Sequence, residues 1–192
     1  MHNTCITAPC VIVANHTSAT NALVLLSTLR GRVVCLVARD WYEKPLWHSW
    51  MVQSESIPVD RFGVDTQWLR DCAQALHEGK SILIFPEGRV RKDGITDDFK
   101  PGFALLASFA DVPVVPVTFC SRYTPLRHAR LAMGLPLQPD RRKAMDSAYL
   151  QRFSQETREA VTANRALYPS LSYGATKAAM AHPVPSLKAR DL

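Results

Sequence analysis

The chain has 192 residues, of which 47% are hydrophobic and 21% are charged, and its formal net charge is +6. This length supports one domain with a sizeable core, and the composition argues against bulk disorder. The positive charge favours an anionic partner such as a membrane surface, a phosphorylated substrate or a nucleic acid. Nucleic acid is not expected, because the basic residues are dispersed and no recognition helix or base-stacking motif is evident.

No stretch of the sequence approaches the roughly 20 apolar residues that are needed to cross a bilayer. Residues 1–9 carry no Lys or Arg, unlike a signal peptide. We therefore expect peripheral membrane contact, unless a longer parent protein supplies an N-terminal anchor. The cysteines form no C-x-x-C pair and no cluster with histidine, so we interpret them as reduced, mostly buried thiols of a cytosolic protein that binds no metal. They are Cys5, Cys10, Cys35, Cys72 and Cys120.

The first part of the chain alternates between strand-like and helical patterns. A buried strand is predicted over residues 10–14, which are apolar and mostly β-branched, and it ends at Asn15. Ser18 is the predicted N-cap of a helix that continues to about Leu29, which places Asn21 at the third position of that helix. The chain then continues with a strand over 33–38, an aromatic segment over 41–52 that Pro45 interrupts, a short extended piece over 56–59 and a helix over 65–77.

The second part of the chain repeats this alternation. Its elements are predicted as a strand over 81–85, a helix over 101–110, strands over 114–119 and 130–135, and an amphipathic helix over 143–167. Apolar strands separated by helices indicate one α/β domain over residues 1–167, with a largely parallel central sheet flanked by helices. Residues 168–192 lack apolar periodicity and are predicted to form a mobile C-terminal tail.

Polar residues follow several of these strands, where α/β folds usually place their chemistry. His16 comes just after the first strand, so its imidazole can lie near solvent while a rigid element holds it, as a general base requires. In isolation it would more simply be a loop histidine without function. Asp60 and Arg61 follow the short extended piece, and the turn Phe85-Pro-Glu-Gly88 ends the clearest strand.

Four segments occur in a fixed order along the chain. They are Asn15-His16 with a polar residue five positions after the histidine, Ile57-Pro-Val-Asp-Arg61, Phe85-Pro-Glu-Gly88, and Val112-Pro-Val-Val-Pro-Val117. In order and spacing these segments resemble the 1-acylglycerol-3-phosphate acyltransferase family of glycerolipid acyltransferases, over roughly residues 11–136. Each segment alone is a weak signal, whereas four in order are a strong one. The last segment is more typical of core packing than of catalysis.

The resemblance implies transfer of a fatty acyl group from an acyl-CoA or acyl carrier protein thioester to the hydroxyl of a glycerol-phosphate-type acceptor, most simply 1-acylglycerol-3-phosphate, in phospholipid synthesis. It implies that His16 is the general base and that no covalent enzyme intermediate, metal or redox cofactor is needed. It also implies that Asp60, Arg61, Glu87 and Gly88 hold the acceptor. Arg61 would bind the phosphate, because a guanidinium fork suits phosphate oxygens.

Structural alternatives exist for these acceptor residues. Arg61 could simply form a surface ion pair with Asp60 or Asp65 and have no further role. The Pro86-Glu87-Gly88 sequence could be no more than a tight turn.

The sequence departs from the family pattern at two places. The family has an aspartate five residues after the histidine, whereas this chain has Asn21, which accepts a hydrogen bond but carries no charge. After Gly88 the family usually has Thr-Arg-Ser, whereas this chain has Arg89-Val90-Arg91. In an extended segment Arg89 and Arg91 lie on the same side, so either could serve the phosphate.

The aromatic segment contains Trp41, Tyr42, Trp47, Trp50 and Met51, with Lys44 and His48 among them. Such a segment is typical of helices that lie in a lipid headgroup layer, but it could also line an acyl pocket or cap the sheet. Together with the basic charge it predicts an anionic membrane surface as a partner, and a cytoplasmic protein on the inner face of the cell membrane. Two alternatives stay open: a catalytically weakened relative that binds lipid or acyl carrier, and an acyltransferase with a non-glycerol acceptor.

Overall fold

The computed structural model describes residues 6, 8–60, 66–91, 96–120 and 129–167, with side chains up to residue 165. The strands are β1 (Val11–Ala14), β2 (Val33–Ala38), β3 (Ile57–Val59), β4 (Ser81–Ile84), β5 (Val114–Phe119) and β6 (Leu131–Met133). The helices are α1 (Asn21–Thr28), α2 (Arg39–Tyr42), α3 (Pro45–Gln53), α4 (Gln67–His77), α5 (Gly102–Ala110) and α6 (Ser147–Leu167), with a 3-10 turn at Arg141–Lys143. Arg61 and the predicted tail, residues 168–192, lie outside the described residues.

These strands form one six-stranded sheet in the order β3-β2-β4-β1-β5-β6. The neighbouring strands from β3 to β5 are parallel, and β6 runs antiparallel to β5. Strand β1 lies between β4 and β5, where Ile12 pairs in register with Leu83 on one side and Val115 on the other. The predicted α/β fold with a largely parallel sheet is confirmed.

Side chains of the central strands enter two apolar layers, one on each face of the sheet. Val11 and Val13 belong to a cluster with residues of α4, α5 and α6. Ile12 and Ala14 belong to a second cluster with Leu25 of α1. Because both faces are covered, the strands are continuous apolar runs rather than alternating ones. All residues of β5 are buried, so the prediction of core packing for this segment is confirmed.

The start of the first helix differs from the prediction. Helix α1 begins at Asn21 with Thr20 at the N-cap position, so the prediction of Ser18 as the N-cap was wrong. The Asn21 side-chain oxygen accepts the backbone N–H groups of Thr17 and Ser18 at 2.8 and 2.6 Å. These bonds hold the chain in a turn before the helix, so Asn21 is the first residue of the helix rather than the third.

The aromatic segment forms two short helices beside the sheet. Helix α2 follows β2 directly and contacts β2 and β3. Pro45 stands at the start of α3, where its missing N–H removes no helical hydrogen bond. The proline therefore separates two helices instead of breaking one.

Candidate active site

The residues singled out in the sequence collect at one edge of the sheet. His16 follows β1, Asp60 follows β3 and Phe85 follows β4. Because these strands are parallel, their carboxyl ends meet at the same edge. Asn15 holds this edge together, since its amide oxygen accepts the Phe119 N–H at 2.7 Å and its amide nitrogen donates to the Phe119 carbonyl at 3.3 Å. The sequence analysis placed Asn15 at the end of a strand and in the Asn15-His16 segment, without assigning a role to its side chain.

The His16 imidazole is held by the Asn21 side chain, with Nδ1 and Oδ1 3.1 Å apart. The same oxygen accepts the N–H groups of Thr17 and Ser18. Two backbone donors can meet only the oxygen of the amide, so the orientation of the Asn21 amide is determined. An oxygen cannot donate, and His16 must therefore carry its proton on Nδ1 in this contact. The unprotonated nitrogen is then Nε2, which is the one available to act as a base.

The His16 ring also stacks on Phe85, with ring centroids 4.3 Å apart and an interplanar angle of 22°. Burial lowers the pKa of His16 below its usual value, while the hydrogen bond that His16 donates to Asn21 opposes that shift. The imidazole is therefore neutral at neutral pH, as a general base must be before the reaction begins.

Glu87 lies behind His16 and is only 6% exposed. Its Oε1 accepts the His16 backbone N–H at 3.0 Å, and its Oε2 accepts the Asp97 N–H at 3.5 Å. Burial raises the pKa of Glu87 from 4.5 to about 6, although these two hydrogen bonds oppose the shift. Glu87 thus joins the histidine loop to the segment that contains Asp97.

Arg89 and Arg91 converge on the carboxylate of Asp97, a residue that the sequence analysis missed. Arg89 Nε lies 2.7 Å from Oδ2, and Arg91 Nη1 lies 3.2 Å from Oδ1. The expectation that the two arginines lie on the same side is confirmed. Arg158 of α6 donates to the Asp97 and Thr96 carbonyls at 3.0 Å each, so the long C-terminal helix fixes this segment.

A cavity of about 430 Å³ opens beside His16. This volume lies within the range of roughly 300–1,000 Å³ that is usual for small-molecule sites. Most of the lining is apolar, and the titratable or thiol-bearing side chains among the described residues that line it are His16, Cys35, Asp60, Arg89 and Lys100. Its apolar wall includes Leu36, Trp41, Met51, Trp68, Ile84 and Phe103. The cavity can therefore take an apolar chain together with an anionic group.

Lys100 is a cation of this cavity that the sequence analysis missed. Its backbone N–H donates to the Pro86 carbonyl at 3.1 Å, which places it beside the Phe85–Gly88 turn. A methyl group built on Gly88 would lie 3.6 Å from Lys100 Nζ, and Gly88 has a φ of +67°, a conformation that favours glycine. Within the described part of the chain Lys100 makes no ion pair. No sequence motif marks this lysine.

Some residues of the aromatic segment line the cavity, and others are exposed on the surface. Trp41 and Met51 line the cavity, and Met51 is buried. Leu46, Trp47 and Val52 of α3 are exposed, and Leu46 is 92% exposed. Lys44 lies over the Trp41 ring, with Nζ 3.7 Å from the ring centroid. An exposed apolar helix therefore lies beside the cavity.

The four described cysteines are free and buried, as predicted. Burial raises the pKa of Cys10 to about 11 and that of Cys35 and Cys72 to about 12. Cys35 lines the cavity, but a thiol with this pKa is not a nucleophile at neutral pH. Across the described ranges there is no group of His, Cys, Asp and Glu side chains that could hold a metal ion. None of the helices in the described part is long and apolar enough to cross a membrane.

The fold and the site define an α/β domain with a histidine of fixed tautomer beside an apolar cavity. The chain belongs to the acyltransferase family, whose sequence model, described as Acyltransferase, matches residues 2–120. This match, together with the relatives described next, confirms the resemblance to glycerolipid acyltransferases.

Individual relatives agree with this assignment. A chloroplast 1-acyl-sn-glycerol-3-phosphate acyltransferase of Brassica napus is 33% identical over 113 residues, which is 57% of this chain and 32% of the relative. The human 1-acyl-sn-glycerol-3-phosphate acyltransferase alpha is 31% identical over 116 residues, which is 59% of this chain and 41% of the relative. This chain thus covers about a third to two-fifths of these relatives.

A solved structure shares the fold. It is the 1-acyl-sn-glycerophosphate (LPA) acyltransferase PlsC from Thermotoga maritima, with a TM-score of 0.66 and 20% sequence identity over 88% of this chain and 70% of that one.

Proposed function

We propose that this chain is an O-acyltransferase that moves a fatty acyl group from a thioester to the hydroxyl of 1-acylglycerol-3-phosphate. The observation that carries the proposal is the His16–Asn21 contact, which leaves Nε2 free to accept a proton beside an apolar cavity. The names of the relatives from Brassica napus and human specify the same acceptor. Phospholipid biosynthesis is the corresponding biological process.

In the proposed reaction His16 acts as the general base. Its Nε2 takes the proton of the acceptor hydroxyl while the oxygen attacks the thioester carbonyl. The tetrahedral intermediate collapses, the carbon–sulfur bond breaks, and the imidazolium returns the proton to the thiolate that leaves. The products are an ester and a free thiol, and no covalent enzyme intermediate is required.

The cavity supplies binding for both substrates in this proposal. Its apolar wall suits a fatty acyl chain, because moving a methylene group from water into an apolar site is favourable by about 0.8 kcal/mol. Arg89 and Lys100 suit the acceptor phosphate, because both line the cavity and carry positive charge. Asp60 also lines the cavity, next to the position of Arg61 in the sequence, and we keep both residues as acceptor ligands.

The donor is proposed to be acyl-CoA or acyl carrier protein. The protein is proposed to act at an anionic membrane surface, on the cytoplasmic inner face of the cell membrane. Support comes from the formal charge of +6 and from exposed Leu46, Trp47 and Val52 beside the cavity. An acceptor that resides in a bilayer has a short path to the cavity if α3 lies in the headgroup layer.

A catalytically weakened relative is the second candidate, and the neutral Asn21 favours it. An aspartate at this position would stabilise the imidazolium that forms in the reaction, whereas an amide cannot do so with charge. Such a protein would bind an acyl chain or an acyl carrier without turnover.

Thioester release with long-chain acyl-CoA or acyl carrier protein and lysophosphatidate decides between these candidates. We expect turnover by the wild type and a loss of at least about 100-fold in His16→Ala. His77→Ala is the matched control, because His77 is exposed on α4 and is not among the described residues that line the cavity. Binding of acyl chains without turnover would support the weakened relative instead. Turnover with only non-glycerol acceptors would contradict the proposed acceptor but support the proposed acyl-transfer reaction.

A further inference from the structure

Four residues form a closed hydrogen-bonded ring around the base. The His16 N–H donates to Glu87 Oε1 at 3.0 Å, and the Asp97 N–H donates to Glu87 Oε2 at 3.5 Å. The Asp97 carboxylate binds Arg91 Nη1 at 3.2 Å, and the Arg91 backbone N–H donates to the His16 carbonyl at 2.7 Å. Each residue is thus bonded to the next, and the last returns to the first.

The ring holds the peptide of His16 on both sides. Its N–H and its carbonyl are each bound by a ring member, so the backbone that carries the imidazole is fixed at two points. Neither Glu87 nor Arg91 is among the described residues that line the cavity. Their contacts therefore favour a role that acts through His16 rather than through direct contact with substrate.

The ring also reaches the acceptor side of the cavity. Asp97 binds Arg89 through Oδ2 as well as Arg91 through Oδ1, and Arg89 lines the cavity. The Asp97 carboxylate thus orients both Arg89, which faces the acceptor side of the cavity, and Arg91, which belongs to the ring that holds His16. Because effective catalysis needs close control of geometry, a ring that connects the two parts aligns hydroxyl and base.

We propose that Glu87, Asp97 and Arg91 are positioning residues that hold His16 in register with the acceptor site. The inference rests on the proposed function for its kinetic consequences. It gives Glu87 a role in shaping the site through backbone hydrogen bonds, and it divides the two arginines into a cavity residue, Arg89, and a ring residue, Arg91.

The test compares Glu87→Gln, Arg91→Met and the double variant, with Arg89→Met as the matched control. Glutamine keeps the shape of Glu87 but presents an amide N–H group to one of the two backbone donors, so one link breaks. Methionine removes the guanidinium of Arg91 and with it another link. Arg89→Met removes the second guanidinium from the same carboxylate and leaves the ring intact.

We expect each ring variant to lower kcat by about 10- to 100-fold, with the acceptor KM within about twofold of wild type. The kcat of the double variant should be no lower than that of the less active single variant, because the second substitution acts on a ring that the first has already opened. Arg89→Met should instead raise the acceptor KM. Multiplicative losses, or a raised acceptor KM in Glu87→Gln, would overturn the proposal.

Amide hydrogen exchange gives a readout that does not depend on activity. We expect faster exchange of the His16 and Asp97 amides in Glu87→Gln and Arg91→Met, with unchanged exchange in Arg89→Met and an unchanged circular dichroism spectrum in all three. If the wild type transfers no acyl group, the proposed function fails while this measurement still tests the ring. Unchanged exchange at His16 in both ring variants would refute the ring itself.

Discussion

The side-chain oxygen of Asn21 lies 3.1 Å from His16 Nδ1 and accepts two backbone N–H groups at the same time. The backbone donors orient the amide, and the amide in turn selects the histidine tautomer. In serine proteases, replacing the aspartate partner by asparagine costs about 10⁴-fold in kcat because the wrong tautomer results. Here the correct tautomer is retained, and only the charge of an aspartate is missing.

Asn21→Asp tests this separation of tautomer from charge. A carboxylate at this distance raises the pKa of His16, so the acid limb of the pH–rate profile should move up by roughly one pH unit or more. On the plateau above that limb we expect kcat to rise a few-fold, far below 10⁴, since the tautomer is already correct. Steady-state rates between pH 5 and pH 9 measure both effects.

Asn21→Ala is the control for this experiment. It removes the acceptor of the Thr17 and Ser18 amides and the partner of His16 together, so both kcat and stability should fall. An unmoved acid limb in Asn21→Asp would mean that the limb reports a group other than His16.

The sequence predicted the sheet and the position of the base because both depend on local patterns. Apolar runs such as Ser81–Ile84 are typical of buried parallel strands, and His16 and Phe85 follow strands that end at the same edge. Lys100 and Asp97 could not be predicted, because they lie in a segment without periodicity that long-range bonds from Arg158 fix. The start of α1 was missed because the Asn21 side chain accepts the Thr17 and Ser18 N–H groups and so holds the chain in a turn before the helix.

Lys100→Met tests the cation that sequence reasoning missed. Loss of a hydrogen bond to a charged group costs about 1.5–3 kcal/mol, so the KM for lysophosphatidate should rise by about 10- to 100-fold. The KM for the thioester donor should not change. With 1-monoacylglycerol, which has no phosphate, the variant and the wild type should be equal.

Two further variants complete the comparison at this site. Lys100→Arg keeps the charge and should retain most of the affinity for the acceptor. Lys143→Met removes a lysine from the 3-10 turn and should have no effect. Equal losses of Lys100→Met with both acceptors would assign Lys100 to folding rather than to phosphate binding.

Leu46→Ser combined with Trp47→Ala tests membrane contact through α3. Both side chains are exposed, so their replacement should leave the fold unchanged but weaken co-sedimentation with anionic vesicles by about 10-fold. Binding by the wild type should also weaken as salt is raised, because the basic residues contribute. Phe109→Ala is the matched control, since Phe109 is an exposed aromatic residue on α5. An equal effect in this control would indicate non-specific apolar adsorption.

Thermal stability as a function of pH tests the environment of Glu87. Burial raises its pKa from 4.5 to about 6, so the folded protein binds this proton more tightly than the unfolded chain does. The contribution of Glu87 to stability is therefore full below about pH 4.5 and declines as the pH rises to about 6. Glu87→Gln has no proton to lose at this position. Its Tm relative to wild type should therefore increase across this window.

Glu78→Gln provides a control of opposite sign for this measurement. Hydrogen bonds from Gln74 and Lys80 lower the pKa of Glu78, so its contribution to stability is present above the ordinary pKa and is lost as the pH falls. The Tm of Glu78→Gln relative to wild type should thus decrease as the pH rises through the range below 4.5. A flat difference for Glu87→Gln would mean that burial raises the pKa of this carboxyl group no more than the hydrogen bonds from the His16 and Asp97 amides lower it.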